Sequence, residues 1–357
     1  MKLSEKDISR YSRHLLLDKV GVAGQLKLKQ AKVLVIGAGG LGCPVLQYLG
    51  AAGVGEIGII DFDIIDESNL QRQILFGIDD IGKSKSETAK LKLEAQNPLI
   101  TVVAYDFELT NKNAIELFNQ YDIIVDGTDN FSTRYLVNDA CVLVNKPLIY
   151  GAIHKFEGQV SVFNYDNGPT YRCLFPNPPE LGVMPSCSEV GVIGVLPGII
   201  GVQQANEVLK IILEIGKVMS GELLIYNSLD SSFLQLKINK SAELSDFGIH
   251  SISDFEQFDY SLTCEVFAQG FTKVDLDKLP NSTLVLDVRD EWETPKVENK
   301  TVVNIPLDEL DDNVTKIPKK EVVYVVCQKG GRSQVAIDFL KAEYDFSNLI
   351  NVEGGIG

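Results

Sequence analysis

The chain is 357 residues long with 45% hydrophobic residues, enough for two cores at about 150 residues per domain. Its formal net charge of −16 argues against a nucleic-acid partner, because binding a phosphate backbone needs a basic face. The longest apolar stretch, Val190 to Val202, is 13 residues with Pro197 and four glycines, short of the roughly 20 that span a bilayer, so no membrane partner is expected.

The opening MKLSEKDISRYSRHLLL places Ser4 three residues before Asp7, which predicts a capped amphipathic helix. From Lys32 the pattern alternates. VLVIG, EIGIID, TVVAYD and YDIIVDGTD read as strands, separated by PVLQYLGAAG, KSETAKLKLEAQ and NAIELFNQ as helices. Short apolar runs alternating with helical stretches predict an α/β fold with a doubly wound, mostly parallel, Rossmann-like sheet. PLIYGAIH and GQVSVFNY follow as strands, then a long crossing segment from Asn167 to Glu189, a helix over 203–215, and the strands ELLIYNS and FLQLKIN. The first domain is thus expected over 1–240. The polar, acidic stretch 241–263 reads as linker, and 264–357 as a second, smaller α/β domain with STLVLDVRDEWE, VVNIPL and EVVYVV as strands.

The glycines of KVLVIGAGGLGC (Gly37, Gly39 and Gly42) have the spacing of a dinucleotide turn, with Asp61 ending the next apolar run. A nicotinamide dehydrogenase is the first reading. The residues beyond it change that reading. Asp61, Asp63, Asn69, Arg72 and Gln73 crowd one stretch, Lys85 opens the next helix in GKSK, and Asp129-Asn130 follow the fourth strand. Two cations and a carboxylate suited to magnesium serve attack on a nucleotide phosphate, where catalysis is mainly positioning and charge neutralisation. Hydride transfer needs neither. Singly, Arg72 and Lys85 also read as solvated helix-end charges and Asp129 as a helix cap.

Taken together, GAGGLGCP, DFDIIDESNLQRQ, GKSKSE, DGTDNFSTR and EGQVSVF resemble the MoeB/ThiF/HesA family of ubiquitin-activating-type adenylyltransferases over roughly 1–240. The resemblance implies ATP-dependent adenylation of the C-terminal glycine of a small ubiquitin-like sulfur-carrier protein ending in Gly-Gly. It implies an ATP site formed by Gly37, Gly39, Gly40, Gly42, Asp61, Asp63, Ser68, Asn69, Leu70, Gln71, Arg72, Lys85, Asp129 and Asn130. Within that set Asp61 holds the ribose, Asn69, Arg72 and Lys85 the phosphates, and Asp129 the Mg2+. Arg13, in RYSRH, matches the family arginine that reaches a neighbouring subunit's site, which implies a homodimer.

The six cysteines are Cys43, Cys141, Cys173, Cys187, Cys264 and Cys327. They form no C-x-x-C pair and no secretory leader precedes them, which reads as reduced thiols of a cytoplasmic protein. The family often carries zinc on two C-x-x-C pairs, but here Thr170-Tyr-Arg-Cys173 offers one thiol, so no zinc site is expected. Cys187, in MPSCSEVGV, aligns with a family cysteine of acyl or sulfur transfer. Cys43, Cys141 and Cys264 have apolar or strand-like neighbours and read as packing residues.

In VVYVVCQKGGRSQVAI, Cys327 follows an apolar strand and precedes a helix, with Gly330, Gly331 and Arg332 in the turn. Backbone N–H groups, a helix N-terminus and Arg332 would stabilise an anion at that sulfur and hold a persulfide. Four residues separate Cys327 from Arg332, a shorter loop than that of cysteine phosphatases. Together with LVLDVRDEWE it resembles the rhodanese family of sulfurtransferases over 264–357. TPKVENKTV stands where that family has a Gly-His-Ile segment, and EGGIG stands where a final helix usually follows.

The two resemblances imply an adenylyltransferase joined to a sulfurtransferase, loaded by a persulfide donor such as a cysteine desulfurase. Two other readings stay open at this point: a carrier-binding relay module that does not adenylate, and an NAD-dependent oxidoreductase, for which no hydride-transfer site is visible. The sequence leaves the carrier open between molybdopterin, thiamine, tRNA thiolation and cysteine pathways.

Overall fold

The apolar runs Lys32–Ile36 (β1), Glu56–Ile60 (β2), Thr101–Tyr105 (β3), Ile123–Asp126 (β4) and Leu148–His154 (β5) pair side by side in parallel. Glu157–Phe163 (β6), Glu222–Asn227 (β7) and Ser232–Lys237 (β8) add an antiparallel half, giving one eight-stranded sheet in the order β3-β2-β1-β4-β5-β6-β7-β8. The order reverses between β1 and β4, and open α/β sheets bind ligands at such a switch point. These coordinates are a computed structural model that describes residues 2–177, 191–260, 278–328, 330–352 and 355–356. They divide into two compact units, one built from 2–177 with 191–260 and one from 278 onward.

Alternation along each strand splits the buried side chains between the two faces of the sheet. Val33, Val35, Ile57, Ile59 and Val125 share one core with Leu46, Leu49 and Val208, while Leu34, Ile36, Ile60 and Ile124 share another with Phe118, Tyr135, Val137 and Phe163. Each such aliphatic side chain contributes about 1.5–3 kcal/mol through burial, so truncating fully buried Leu46 or Leu49 to alanine would cost about 2–5 kcal/mol.

The helices in chain order are Glu5–Arg10 (α1), Ser12–Leu15 (α2), Gly21–Gln30 (α3), Gly42–Ala52 (α4), Lys85–Gln96 (α5), Ala114–Phe118 (α6), Phe131–Leu143 (α7), Tyr171–Leu174 (α8), Val195–Leu213 (α9) and Ile252–Gln257 (α10). Ser4 caps α1 reciprocally with Asp7 as expected, but the helix breaks at Tyr11. That ring is buried, its hydroxyl accepting from Asn97 Nδ2 at 2.9 Å. The helix expected over 203–215 begins at Val195, with Pro197 in its first turn, where a missing N–H costs nothing. It lies close to the sheet. A Cβ on Gly151 or Gly158 would come within 2.4 Å of Gln204 or 2.3 Å of Ile200, and one on Gly201 within 2.5 Å of the Leu41 carbonyl.

The stretch 241–263, expected as linker, is folded as far as it is described. It forms a 3-10 turn over Leu244–Phe247 and then α10, and buries Leu244, Ile249, Phe255 and Tyr260 in the second core. Asn111 Nδ2 donates at 3.0 Å to the carbonyls of both Glu256 and Phe258. The apolar positions are too irregularly spaced, among acidic neighbours, to show one period.

The second unit is a four-stranded parallel sheet in the order β10-β9-β11-β12, from Leu284–Asp287 (β9), Thr301–Asn304 (β10), Val323–Val326 (β11) and Leu349–Asn351 (β12). The last strand lies in SNLINV, which carried no expectation. Leu310–Asn313 (α11) and Gly331–Tyr344 (α12) complete it over a core of Leu286, Val288, Val325, Ile337 and Leu340. Among the described residues no helix is long and apolar enough to cross a membrane.

Candidate active sites

At the switch point β1 runs into the glycine turn. Gly37 is left-handed at φ 88°, and a Cβ on Gly42 would lie 1.9 Å from the Gly37 carbonyl, so neither position admits a side chain. Gly40 packs against helix α9, since its Cβ would lie 3.2 Å from Pro197 and 3.4 Å from Arg72 Cγ. After β2, Asp61 accepts the Ala38 N–H at 2.7 Å through Oδ2 and the Asp63 N–H at 2.9 Å through Oδ1. Burial pushes this carboxyl above its ordinary range, against the attraction of Lys85 and the two amides.

Lys85 opens α5, is only 6% exposed, and donates to Asp63 Oδ2 at 2.7 Å. A cation at a helix N-terminus opposes the helix dipole, and Asp63 offsets it. Arg72 donates to the Ser68 carbonyl at 3.1 Å. Ser68 N–H and Asn69 Oδ1 make a reciprocal cap with Asp66. Leu70 packs on the first core, and the Gln71 carbonyl would lie 2.2 Å from a Cβ on Gly194. Asp129 is exposed just past β4, and Asn130 caps α7 by accepting the Thr133 N–H at 2.8 Å.

The fold thus sets Asp61 against the glycine turn through the Ala38 N–H, links Asp63 to Asp61 and Lys85 to Asp63, and packs Arg72 beside Gly40. A Cβ on Gly37 would lie 3.1 Å from the Gly127 carbonyl, so the turn that carries Asp129 abuts it. Arg13 is exposed on α2, and no hydrogen bond or ion pair joins it to this group among the described residues. Cys187 and Cys264 lie outside the described residues. Cys43 and Cys141 are fully buried, and burial raises both thiols, Cys43 to about 12.

Sequence reasoning passed over Asp126, the last residue of β4. Its Oδ1 accepts both the N–H and the hydroxyl of Thr128, at 2.9 and 2.7 Å, while Arg134 donates to the Thr128 carbonyl at 3.1 Å. Burial holds the Asp126 carboxyl above its usual range against the charge of Arg134. A carboxylate closing an apolar strand was the available signal, because such groups stay buried only with partners.

Cys173, the thiol of the Thr170-Tyr-Arg-Cys173 stretch, is free and half-buried. Its sulfur accepts from the Thr170 N–H and the Ser241 N–H at 3.4 Å each, stands 3.4 Å from the Thr170 hydroxyl, and donates to the Ala242 carbonyl at 3.6 Å. Burial raises this thiol, but the bonds from Thr170 and Ser241 outweigh it and hold it below the usual value. A hydroxyl, two amides and a carbonyl do not replace three zinc ligands, and among the described residues no group of three or more His, Cys, Asp or Glu could hold a metal ion. Beside Cys173, Arg172 forks onto buried Asp139 at 2.7 and 2.6 Å, lies over the rings of Tyr135 and Phe247, and shares Asp139 with the Tyr260 hydroxyl at 2.8 Å.

In the second unit Cys327 follows β11 directly and is buried. Gly330, left-handed at φ 92°, caps α12 and donates its N–H to the Cys327 sulfur at 3.0 Å, with the Ser333 hydroxyl at 3.5 Å. Arg332, expected to face the sulfur, forks onto Glu293 at 2.7 and 2.6 Å, which holds that carboxyl below its ordinary range. Arg289 forks onto Asp287 and donates to Gln328 Oε1 at 3.1 Å, tying the DVR strand to the cysteine loop.

Residues 11–246 match the ThiF family and residues 272–357 the rhodanese-like domain. Over 372 residues the chain is 41% identical to the probable adenylyltransferase/sulfurtransferase MoeZ of Mycobacterium tuberculosis, covering 99% of this chain and 93% of that protein. It is 50% identical over 246 residues to the sulfur carrier protein adenylyltransferase of Thermus thermophilus, covering 68% and 91%. The adenylyltransferase and sulfurtransferase MOCS3 of Aedes aegypti is 39% identical, covering 99% and 87%. Among solved structures, E. coli MccB has a TM-score of 0.59 at 25% identity, over 67% of this chain and 72% of that one. The class is that of an adenylyltransferase joined to a sulfurtransferase. Within it, the chain belongs to the ThiF family, with a rhodanese-like domain following.

Proposed function

We propose that the first domain adenylates the C-terminal Gly-Gly carboxylate of a ubiquitin-like sulfur carrier with ATP, and that Cys327 then supplies sulfur to it. The observation that carries this reading is the run from the Ala38 amide through Asp61 and Asp63 to Lys85, which sets a buried cation beside a glycine turn. In this reading the turn amides and Lys85, Arg72 and Asn69 take the phosphates and Asp61 the ribose. Asp129 fits a magnesium ion, which keeps most of its ligands as water and phosphate and needs few carboxylates; bound there, it would neutralise phosphate charge. Arg13, exposed on α2, is left available to the neighbouring copy of a homodimer.

A carrier carboxylate oxygen attacks the α-phosphorus, the bond to pyrophosphate breaks, and an acyl-adenylate forms. The terminal sulfur of a Cys327 persulfide attacks the acyl carbon, and AMP leaves with the electron pair of the broken C–O bond. A thiolate, from Cys187 or an external thiol, then attacks the Cys327 sulfur. The S–S bond breaks, the thiocarboxylate leaves with the electrons, and the disulfide left behind is reduced by an external dithiol. A donor of the cysteine desulfurase class reloads Cys327. This chemistry belongs to the cytoplasm, where thiols stay reduced.

ATP–pyrophosphate exchange with a panel of Gly-Gly-ending carriers, beside Arg72→Ala, tests the first step. Exchange with one carrier that is lost in Arg72→Ala is expected and names the pathway. No exchange with any carrier would turn the reading toward a relay module.

A further inference from the structure

The turn after β12 takes no part in the chemistry proposed above, yet it touches the loop that carries it. Gly355 is left-handed at φ 68° and donates its N–H to the Val352 carbonyl at 3.1 Å. A Cβ on Gly355 would lie 2.4 Å from the Cys327 carbonyl oxygen and from the carbonyl of Gln328. The next N–H, of Ile356, donates to the Cys327 carbonyl at 3.1 Å, and the Ile356 side chain packs with Val285, Val326 and Val352. At the other limb of the loop, Asn351 Nδ2 donates to the Gly330 carbonyl at 3.1 Å and Asn351 Oδ1 accepts from Ser333 at 2.6 Å.

We propose that Gly355 and Ile356 are positioning residues for sulfur transfer, forming a brace that fixes the peptide after Cys327. A trans peptide points its C=O and N–H in opposite directions. Holding the Cys327 carbonyl against Ile356 therefore turns the Gln328 N–H away from that turn, in the same loop whose Gly330 N–H reaches the sulfur. Any side chain at 355 pushes that carbonyl away and rotates the amide with it. The inference rests on the reading of Cys327 as the sulfur-bearing residue.

The test uses the full chain with Gly355→Ala, Ile356→Pro, which removes the donor, and Ile356→Val, which keeps it. Three quantities are read: iodoacetamide labelling of Cys327 by peptide mass, sulfur transfer from thiosulfate to cyanide, and amide exchange across β11. Expected are a fall in kcat on the order of 10²-fold for Gly355→Ala and Ile356→Pro, with KM little changed, altered Cys327 labelling, protected β11 amides, and wild-type behaviour of Ile356→Val. Equal labelling in all four proteins overturns the brace. Loss of β11 protection in both disruptive variants also overturns it, making the turn a fold element. A wild-type chain that transfers no sulfur sinks the Cys327 reading instead, and the labelling still judges the brace.

Discussion

Lys85 Nζ stands 2.7 Å from Asp63 Oδ2, and the lysine side chain is nearly buried while the aspartate is open to solvent. The pair keeps a desolvated cation neutralised, and on the proposed reading an ATP phosphate replaces the carboxylate. Lys85→Met is therefore expected to lower ATP–pyrophosphate exchange by about 10²–10³-fold, the usual cost of removing one preorganised charge partner. Asp63→Asn should lower the KM for ATP by removing the internal competitor. Steady-state exchange kinetics measure both, and an unchanged rate in Lys85→Met would remove Lys85 from the site.

Asp61 gives a pH dependence whose sign follows from its burial. Its native carboxyl titrates above the ordinary value, so ionising it weakens the fold. The stability it contributes is complete below the ordinary carboxylate value and is lost as pH rises through the native one. Binding runs the other way if the carboxylate accepts from a ribose hydroxyl. The KM for ATP should rise as pH falls into the range just above ordinary aspartate values, and Asp61→Asn should flatten that limb at a uniformly weaker KM.

Cys327→Ala should abolish sulfur transfer and leave ATP–pyrophosphate exchange within about twofold, since its loop belongs to a separate sheet. Loss of both activities would contradict that division of labour. Glu293→Gln leaves the largely buried Arg332 half-paired and should destabilise the second unit by about 1–3 kcal/mol. Because Glu293 titrates below its ordinary value, the stability it lends is present above that ordinary value. It is lost as pH falls through the depressed one. Denaturant unfolding at neutral and acid pH separates the two effects.

Arg172→Met strands the Asp139 carboxylate in the core and should cost about 3–5 kcal/mol, whereas Arg172→Met with Asp139→Leu should recover most of it. Tyr260→Phe should cost about 1 kcal/mol. Metal analysis of the purified chain should find well under one zinc per chain, and a chelator should leave the melting temperature where it was. One zinc per chain would overturn the account of Cys173.

The parallel half of the first sheet was legible because its strands are short apolar runs between helical ones, and α5 matches KSETAKLKLEAQ residue for residue. The start of α9 was legible only in part, since 190–202 reads as buried backbone entering a core helix while Pro197 and four glycines there hide where the helix begins. The residue types of the first site could be read, but their pairing could not. Nothing in the spacing of Asp63 and Lys85 says that they touch across a bridge between Ile64 and Ser84. Arg332 was read as a partner of sulfur from its place in the turn after Cys327, and its charge does interact with that thiol; that it also forks onto Glu293, 39 residues away, has no signal in the sequence.

Helix α9 touches Gly151 and Gly158 on strands β5 and β6 near its middle, and Gly40 near its start, with no room for a methyl group at the two strand positions. Close-packed interiors pass displacement on and do not absorb it. A side chain added at Gly151 or Gly158 therefore has to displace α9, and with it the Pro197 ring that packs on Gly40 of the glycine turn.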